Sequence, residues 1–446
     1  ISYNKFRHPF RVNIRAFRII RSKLDGMIAR SGAPPFGKDR ELNATSNGPL
    51  NWDPYNQAYF KNPYPVYRRL REEAPVYYNE EHDFYLLSHY DDCERMLRDR
   101  DTFVSKHGNL LEFISPDTVY PSGMFIYEDP PLHAQHRGIL TRVFTPKKMA
   151  ALEPKIREYT ARTLDRFLEG GDFDFIEHLG AEMPIRVIGM LLGIPDEDLK
   201  EVQKFTDDRL TVEPGQPMEK KRDYDYEGTL FARYVDWREK NPSDDLMTEL
   251  MNVEFEDQAG VTRKLTRNEI MIFINILSAA GNETTNRLIG WTAKTLAEHP
   301  DQRRQVYEDR SLVSQTIEEV LRFEVPGHVA GRYSVSESEF QGVKIPAGSK
   351  VLANLAAANR DENKFADGDK FNIHRERIPH LSFGVGFHNC LGNALARVEG
   401  RIALDEVLKR FPEWDIHLDR ARLSSSSAVR GWETLPATLK PGMAVA

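Results

Sequence analysis

Phe383-Gly384-Val385-Gly386-Phe387-His388-Asn389-Cys390-Leu391-Gly392 places a single cysteine in a glycine-punctuated loop. Leu391, Leu395, Val398 and Ile402 then recur at helical spacing, so the loop is expected to run straight into a helix. A thiolate at that point is stabilised by the positive end of the helix dipole, by unpaired backbone N–H groups and by the nearby His388. Gly384, Gly386 and Gly392 would let a flat, bulky group approach the backbone where a side chain would collide. The competing reading is a buried structural cysteine behind a turn, which describes most lone cysteines.

A second stretch, Thr266 to Glu298, carries the other half of the chemistry. Thr266-Arg267-Asn268-Glu269 is a capping box and Pro300 follows the far end, so a helix of about thirty-two residues, roughly 48 Å, is expected. Its middle reads Ala279-Ala280-Gly281-Asn282-Glu283-Thr284-Thr285. Small Ala280 and Gly281 leave room beside the helix, and glycine weakens it enough to permit a local opening. Thr284 offers a hydroxyl and Glu283 a carboxyl that can pass protons from water. Against this stands the common habit of helical threonine, a bond back to a carbonyl one turn earlier. Further along, Glu319 and Arg322 share a helix face, and Arg375 sits in Phe371-Asn372-Ile373-His374-Arg375.

The cysteine loop meets the needs of a thiolate ligand to haem iron, and it resembles the haem-binding signature of cytochromes P450. The aromatic, the second glycine, the basic residue, the cysteine and the last glycine are all in register. Ala279 to Thr285 resembles the distal-pocket motif of the same family. The resemblance implies haem b with iron ligated by Cys390, Phe383, Gly384 and Gly392 against the cofactor, and Gly281 beside it. It implies that Glu283 and Thr284 deliver protons to bound oxygen. Haem propionates are normally ionised and need cationic partners. His133 and Arg137, four apart on a helix opened by Asp129-Pro130-Pro131, are implied for that role, with Arg332 and His388. Glu319, Arg322 and Arg375 match the family's structural brace. The likeness covers roughly residues 52–440 in the family's order, and Phe175 to Pro195 looks like its bacterial members.

The fold class expected is mainly α with small segregated β-sheets, a cytochrome P450 fold in one large domain at 51–446. Phe84 to Ser88 reads as a strand, and a strand pair is expected between Phe340 and Leu352 with Pro346-Ala347-Gly348 as its turn. No glycine-rich dinucleotide fingerprint competes. The chain has 446 residues, 40% of them hydrophobic and 10% aromatic, which is ordinary for a soluble globular protein. Its two cysteines, Cys93 and Cys390, exclude a disulfide framework and suit a reducing cytoplasm. Cys93 lies in the amphipathic stretch Tyr90 to Leu97 and is expected to be structural. No apolar run reaches the length of a membrane span, which by the resemblance favours a soluble bacterial type of enzyme in the cytoplasm.

The net charge of −7 is uneven: residues 1–30 hold eight Lys or Arg against one acid, Asp25. We read residues 1–50 as a basic N-terminal extension and linker. Phe10, Ile14, Phe17, Ile20, Leu24 and Met27 approximate one helical face there. That face is expected to pack on the enzyme body, the second reading being weak contact with an anionic membrane surface.

The resemblance implies a monooxygenase that consumes dioxygen, two electrons and two protons per turnover. No flavin or iron–sulfur motif is present, so electrons are expected from a separate acidic ferredoxin. Its docking surface would be Arg137, Arg142, Lys147 and Lys148 with Arg397, Arg401, Lys409 and Arg410. No nucleic-acid partner is expected. Pocket positions implied by the family are Ile276, Leu277 and Ala280, Val325 to Ala330 and Ser427 to Val429. They are mostly apolar and favour a terpenoid, steroid or fatty-acid-like substrate, with His328 available to bond a polar group. The alternatives are a peroxide-driven haem-thiolate oxygenase, a non-catalytic haem sensor or ligand-binding protein, and a zinc site from His374, His380, His388 and Cys390. The zinc spacings match no common structural site.

Overall fold

The computed structural model describes residues 50–142, 144–210, 212, 215–218, 229–376, 378–424 and 429–442. The basic segment 1–30, the linker up to residue 49, and Ser427 and Ala428 of the expected pocket positions lie outside the described residues. Six helices frame the region of interest: α1 (Leu132–Thr141), α2 (Pro146–Asp165), α3 (Glu182–Leu192), α4 (Arg267–Glu298), α5 (Val313–Phe323) and α6 (Asn393–Arg410). The capping box forms as expected. Thr266 Oγ1 accepts from the Glu269 N–H at 3.2 Å, and the Glu269 carboxylate accepts from the Thr266 N–H at 2.8 Å.

Helix α4 is buried on almost every side, from Ile270 and Phe273 to Trp291 and Leu296, which marks a central rather than a surface helix. Helices α3, α5 and α6 pack on it, and α6 packs in turn on α2 and α5. Their apolar side chains make one large core with the three-stranded sheet Glu413–Ile416, Pro436–Lys440 and Gly171–Asp174. A second core lies against a five-stranded sheet, ordered Val76–Asn79, Phe84–Leu87, Lys350–Asn354, Val329–Ser334 and Phe103–Val104. Cys93 is buried there in helix Tyr90–Arg98, its Sγ 3.2 Å from the Leu87 carbonyl, as a structural residue would be.

The strand expected at 84–88 forms, but the expected pair between Phe340 and Leu352 divides differently. The tight hairpin joins Ser338–Phe340 to Val343–Ile345, with Gln341 and Gly342 both at positive φ (48° and 77°). Two successive left-handed residues give the twist a two-residue hairpin needs. Pro346-Ala347-Gly348 instead carries the chain to another sheet, where Lys350–Asn354 pairs with Phe84–Leu87 and Val329–Ser334.

Buried charge fastens the frame at two places. Glu319 bonds Arg322 through two contacts of 2.8 Å, receives Arg375 Nε at 3.2 Å and accepts the Asn372 N–H at 2.9 Å. Arg322 also donates to the carbonyls of Asn359 and Gly368 at 2.8 Å, so the brace ties α5 to the connecting loops around 359–375. At the other end, buried His136 of α1 bonds Glu128 at 2.8 Å and lies 3.8 Å from Glu269 of α4. Arg263 and Ser122 complete that cluster on Glu269. Among the described residues no helix is long and apolar enough to cross a membrane.

Candidate active site

The loop before α6 takes its shape from two glycines. Gly384 and Gly386 stand at φ +60° and +74°, values that a side chain disfavours. A Cβ on Gly386 would also come within 3.0 Å of the Leu97 carbonyl, so the loop lies directly on helix Tyr90–Arg98. The Cys390 N–H donates to the Phe383 carbonyl at 2.8 Å, and Asn389 Nδ2 donates to the Gly384 carbonyl at 2.9 Å. Asn393, the first residue of α6, donates back to the Cys390 carbonyl at 2.6 Å. The cysteine is thereby pinned from both sides.

A cavity of about 270 Å³ opens above this loop. Cys390, Phe383, His388 and Gly392 form one wall, and Ala280, Gly281, Thr284 and Thr285 of α4 form another. Cys390, Ala280 and Thr284 are the informative members. All three are exposed although their chain neighbours are half-buried or buried, because the cavity uncovers them. Beside Gly392 a Cβ would meet nothing within 4 Å, leaving its backbone open to a flat group as expected. Phe125, Ile126, Phe144, Ile188, Ile276 and Leu277 make much of the remaining lining.

At one edge the sequence-predicted basic residues converge. The rings of His133 and His388 lie 4.3 Å apart, Arg137 donates to the Asn389 carbonyl, and buried Arg332 donates to the Gly331 carbonyl at 2.6 Å. Nε2 of His133 and Nε2 of His388 are buried without a hydrogen-bond partner among the described residues. Burial pushes Arg332 down to about 10, with only the more distant Asp129 opposing. Buried donors and a buried guanidinium lacking a carboxylate partner are costly unless an anion completes them. The residues present therefore fit a cofactor with ionised carboxylates.

His388 does not supply the positive charge expected beside the thiol. Burial, then Arg332, His133 and Arg137, hold its imidazole neutral, down to about 2. For Cys390 itself, burial pushes the thiol up. The Gly392 N–H, Arg137 and Arg397 oppose that shift. The thiolate is thus favoured by a backbone donor and two arginines rather than by the histidine.

The α4 motif also differs in detail. The helix runs unbroken through Gly281, with no local opening. A Cβ on Gly281 would come within 2.6 Å of Ile188 Cδ1, so this glycine lets α3 close on α4 as well as bordering the cavity. The Thr284 hydroxyl donates to the Ala280 carbonyl at 2.8 Å, the competing habit named above. Its oxygen keeps lone pairs toward the cavity. Glu283 is ion-paired with Arg287 one turn on.

Two further expectations shift. Pro326 and Gly327 line the cavity, whereas His328 lines a separate small pocket and shares a 2.9 Å hydrogen bond with the Tyr67 hydroxyl. The zinc alternative fails: among the described residues no group of three His, Cys, Asp or Glu side chains could hold a metal ion, and His374 and His380 contact Gln305 and Glu318 instead. One ionisable cavity residue escaped sequence reading. Buried Glu399 of α6 lines the cavity and hydrogen-bonds Thr285. The available signal was a charge on the apolar stripe, four residues after Leu395 and three before Ile402.

Comparison with known proteins agrees with this geometry. The cytochrome P450 family model matches residues 47–429. A vitamin D(3) 25-hydroxylase from Pseudonocardia autotrophica is 33% identical, covering 89% of this chain and 98% of its own length. A solved cytochrome P450 from Chondromyces apiculatus superposes with a TM-score of 0.77 at 31% identity, over 89% of this chain and all of the other. A Bacillus megaterium cytochrome P450 solved in complex with testosterone gives 0.75 at 29%, over 86% of this chain and all of the other.

Proposed function

Since the chain belongs to the cytochrome P450 family, we propose that Cys390 is the thiolate that holds its haem iron and that its substrate is a steroid-like hydrophobic molecule. The enzyme is a haem-thiolate monooxygenase. The observation that carries the assignment is a single cavity bounded by Cys390 and by Ala280-Gly281-Thr284, with unpartnered basic groups at its edge. When bound, the haem supplies dioxygen activation and oxygen insertion.

The chain supplies the rest. Cys390 loses its proton on metal binding, helped by the Gly392 N–H and by Arg137 and Arg397. His133, Arg137, Arg332 and His388 receive the propionates. Phe125, Ile126, Phe144, Ile188, Ile276 and Leu277 exclude water and hold an apolar substrate. The named relatives, a vitamin D(3) hydroxylase and a testosterone-bound enzyme, support a steroid-related substrate. Thr284 accepts a proton-donating contact at its free lone pairs, and relay through Glu283 requires its ion pair with Arg287 to open.

Electrons come from an acidic ferredoxin, on a patch narrower than the sequence reading. Arg397 pairs with Glu318, Lys409 with Asp405 and Glu406, Arg410 with Asp165 and Glu406, and Lys148 with Glu249. Arg401 lies 3.8 Å from Glu153. Arg142 and Lys147 are exposed and lack an ion-pair partner among the described residues, so they are the residues we assign to docking. The decisive test is the absorption spectrum of the reduced, carbonyl-bound protein. A shifted thiolate band lost in Cys390→Ser is expected, and its absence from the parent would overturn the assignment. Testosterone should displace the iron-bound water spectrally, whereas fatty acids alone doing so would redirect the substrate class. First electron transfer should slow with added salt and in Arg142→Ala. Turnover supported equally by peroxide alone would favour the peroxide-driven alternative.

A further inference from the structure

Phe125 and Ile126 line the cavity from a short segment, Gly123 to Glu128, whose one regular element is the single helical turn Phe125–Tyr127. A lone turn does not hold its own shape, so its place must be set by neighbours. The two ends of the segment are closed by one side chain: the Glu128 carboxylate accepts the Gly123 N–H at 2.8 Å. The same carboxylate accepts from His136 Nδ1, 2.9 Å from one oxygen and 2.8 Å from the other. His136 stands on α1 and is 0% exposed, with Phe255 and Phe273 set edge to face against its ring at 5.7 and 5.6 Å. Phe273 of α4 also meets the Phe125 ring edge to face at 5.6 Å. A Cβ on Gly123 would come within 3.2 Å of the Glu269 Cα, and Ser122 Oγ donates to Glu269 at 2.7 Å, so the segment starts directly on the first turn of α4. Neither His136 nor Glu128 lines the cavity itself.

Resting on the haem-thiolate reading above, we propose that His136 is a positioning residue for substrate, which fixes the Phe125–Ile126 wall through Glu128. A carboxylate can only accept, so Nδ1 carries the hydrogen of their bond. The imidazole thereby supplies a donor that a buried carboxylate needs. Nε2 faces Glu269 at 3.8 Å, beyond hydrogen-bond reach, so the hold on the wall runs through Glu128. Without the ring, Glu128 keeps the Gly123 N–H as its donor among the described residues. A carboxylate short of donors in an apolar setting turns toward water and carries the Phe125–Tyr127 turn with it. A large apolar ligand then loses the packing of two side chains. A small ligand that reaches only the iron loses nothing.

The competing role is a packing post that merely holds α1 against α4. Two variants separate them. His136→Leu fills the place of the ring without a donor, and His136→Asn keeps an amide donor near the position of Nδ1. The haem-loaded proteins are titrated spectrally with clotrimazole, a bulky aryl azole, and with imidazole. His136→Leu should bind clotrimazole several-fold more weakly and imidazole as the parent does, and His136→Asn should recover most of the loss. Hydrogen exchange at the Gly123 amide should quicken in His136→Leu and slow again in His136→Asn, in the apo as well as the loaded chain. Equal weakening of both ligands, an unchanged ratio between them, unchanged exchange, or a His136→Asn protein that behaves like His136→Leu would overturn the proposal. The reduced carbonyl spectrum of the parent separates the two readings. A normal thiolate band with an unchanged azole ratio removes this inference alone. A missing thiolate band removes the haem reading, and exchange in the apo chain then still decides whether His136 holds the wall.

Discussion

Arg332→Met should move the apo and haem-loaded proteins in opposite directions. Arg332 is 4% exposed, donates to the Gly331 carbonyl and has no carboxylate in ion-pair contact among the described residues. Replacing an uncompensated buried charge by an apolar side chain of similar length is expected to stabilise the apo chain by about 1–4 kcal/mol, less about 1 kcal/mol for the lost carbonyl bond. A hydrogen bond to a charged propionate contributes about 1.5–3 kcal/mol. Its loss corresponds to roughly 10- to 150-fold weaker haem retention, since 1.4 kcal/mol is tenfold. Urea unfolding of the apo protein measures the first effect. Transfer of haem to a scavenger in excess measures the second. An apo variant that is less stable, with haem release unchanged, would refute the reasoning and make Arg332 a structural residue.

Other perturbations have equally defined outcomes. Glu319→Gln breaks a buried ion pair and strands Arg322 and Arg375, so stability should fall by about 3–5 kcal/mol in denaturant titration. Thr284→Ala should leave the thiolate spectrum intact while raising peroxide release per electron; unchanged coupling would favour the haem sensor or a different proton donor. Burial would raise Glu269, but Arg263, Thr266 and Ser122 outweigh it and hold the carboxyl down to about 2. That value lies below the unfolded carboxylate at about 4.3, so its stabilisation is complete above the unfolded value and lost as pH falls toward about 2. Glu269→Gln should flatten the fall in the urea midpoint across that acid window.

The two α4 and α6 motifs were legible because they are local. A capping box, a glycine at positive φ and a cysteine just before a helix are set by residues within a few positions of one another. The brace of Glu319, Arg322 and Arg375 was legible only through its order along the chain, since an i,i+3 pair on an exposed helix would look the same. What misled was charge and register. Four of the basic residues assigned to docking find acids from other elements and Lys409 finds them in its own helix, and a surface-charge count cannot see such pairing. The 340–352 hairpin turned at Gln341-Gly342 rather than at the proline, because long-range pairing with Phe84–Leu87 claimed the later strand.

The sequence by itself determined the ligand loop, the long capped helix, the mainly α class and the set of basic residues from which the cavity edge is drawn. Those depend on backbone preference and spacing, which act over a few residues. Tertiary structure alone decided that Arg137 and Arg397, not His388, favour the Cys390 thiolate. It alone bound Glu283 to Arg287, moved His328 to Tyr67 and placed Glu399 on the cavity wall. Each of these turns on desolvation and on charges brought together from distant segments. A side chain's protonation and partner follow from the dielectric and neighbours that folding imposes, not from the residues beside it in the chain.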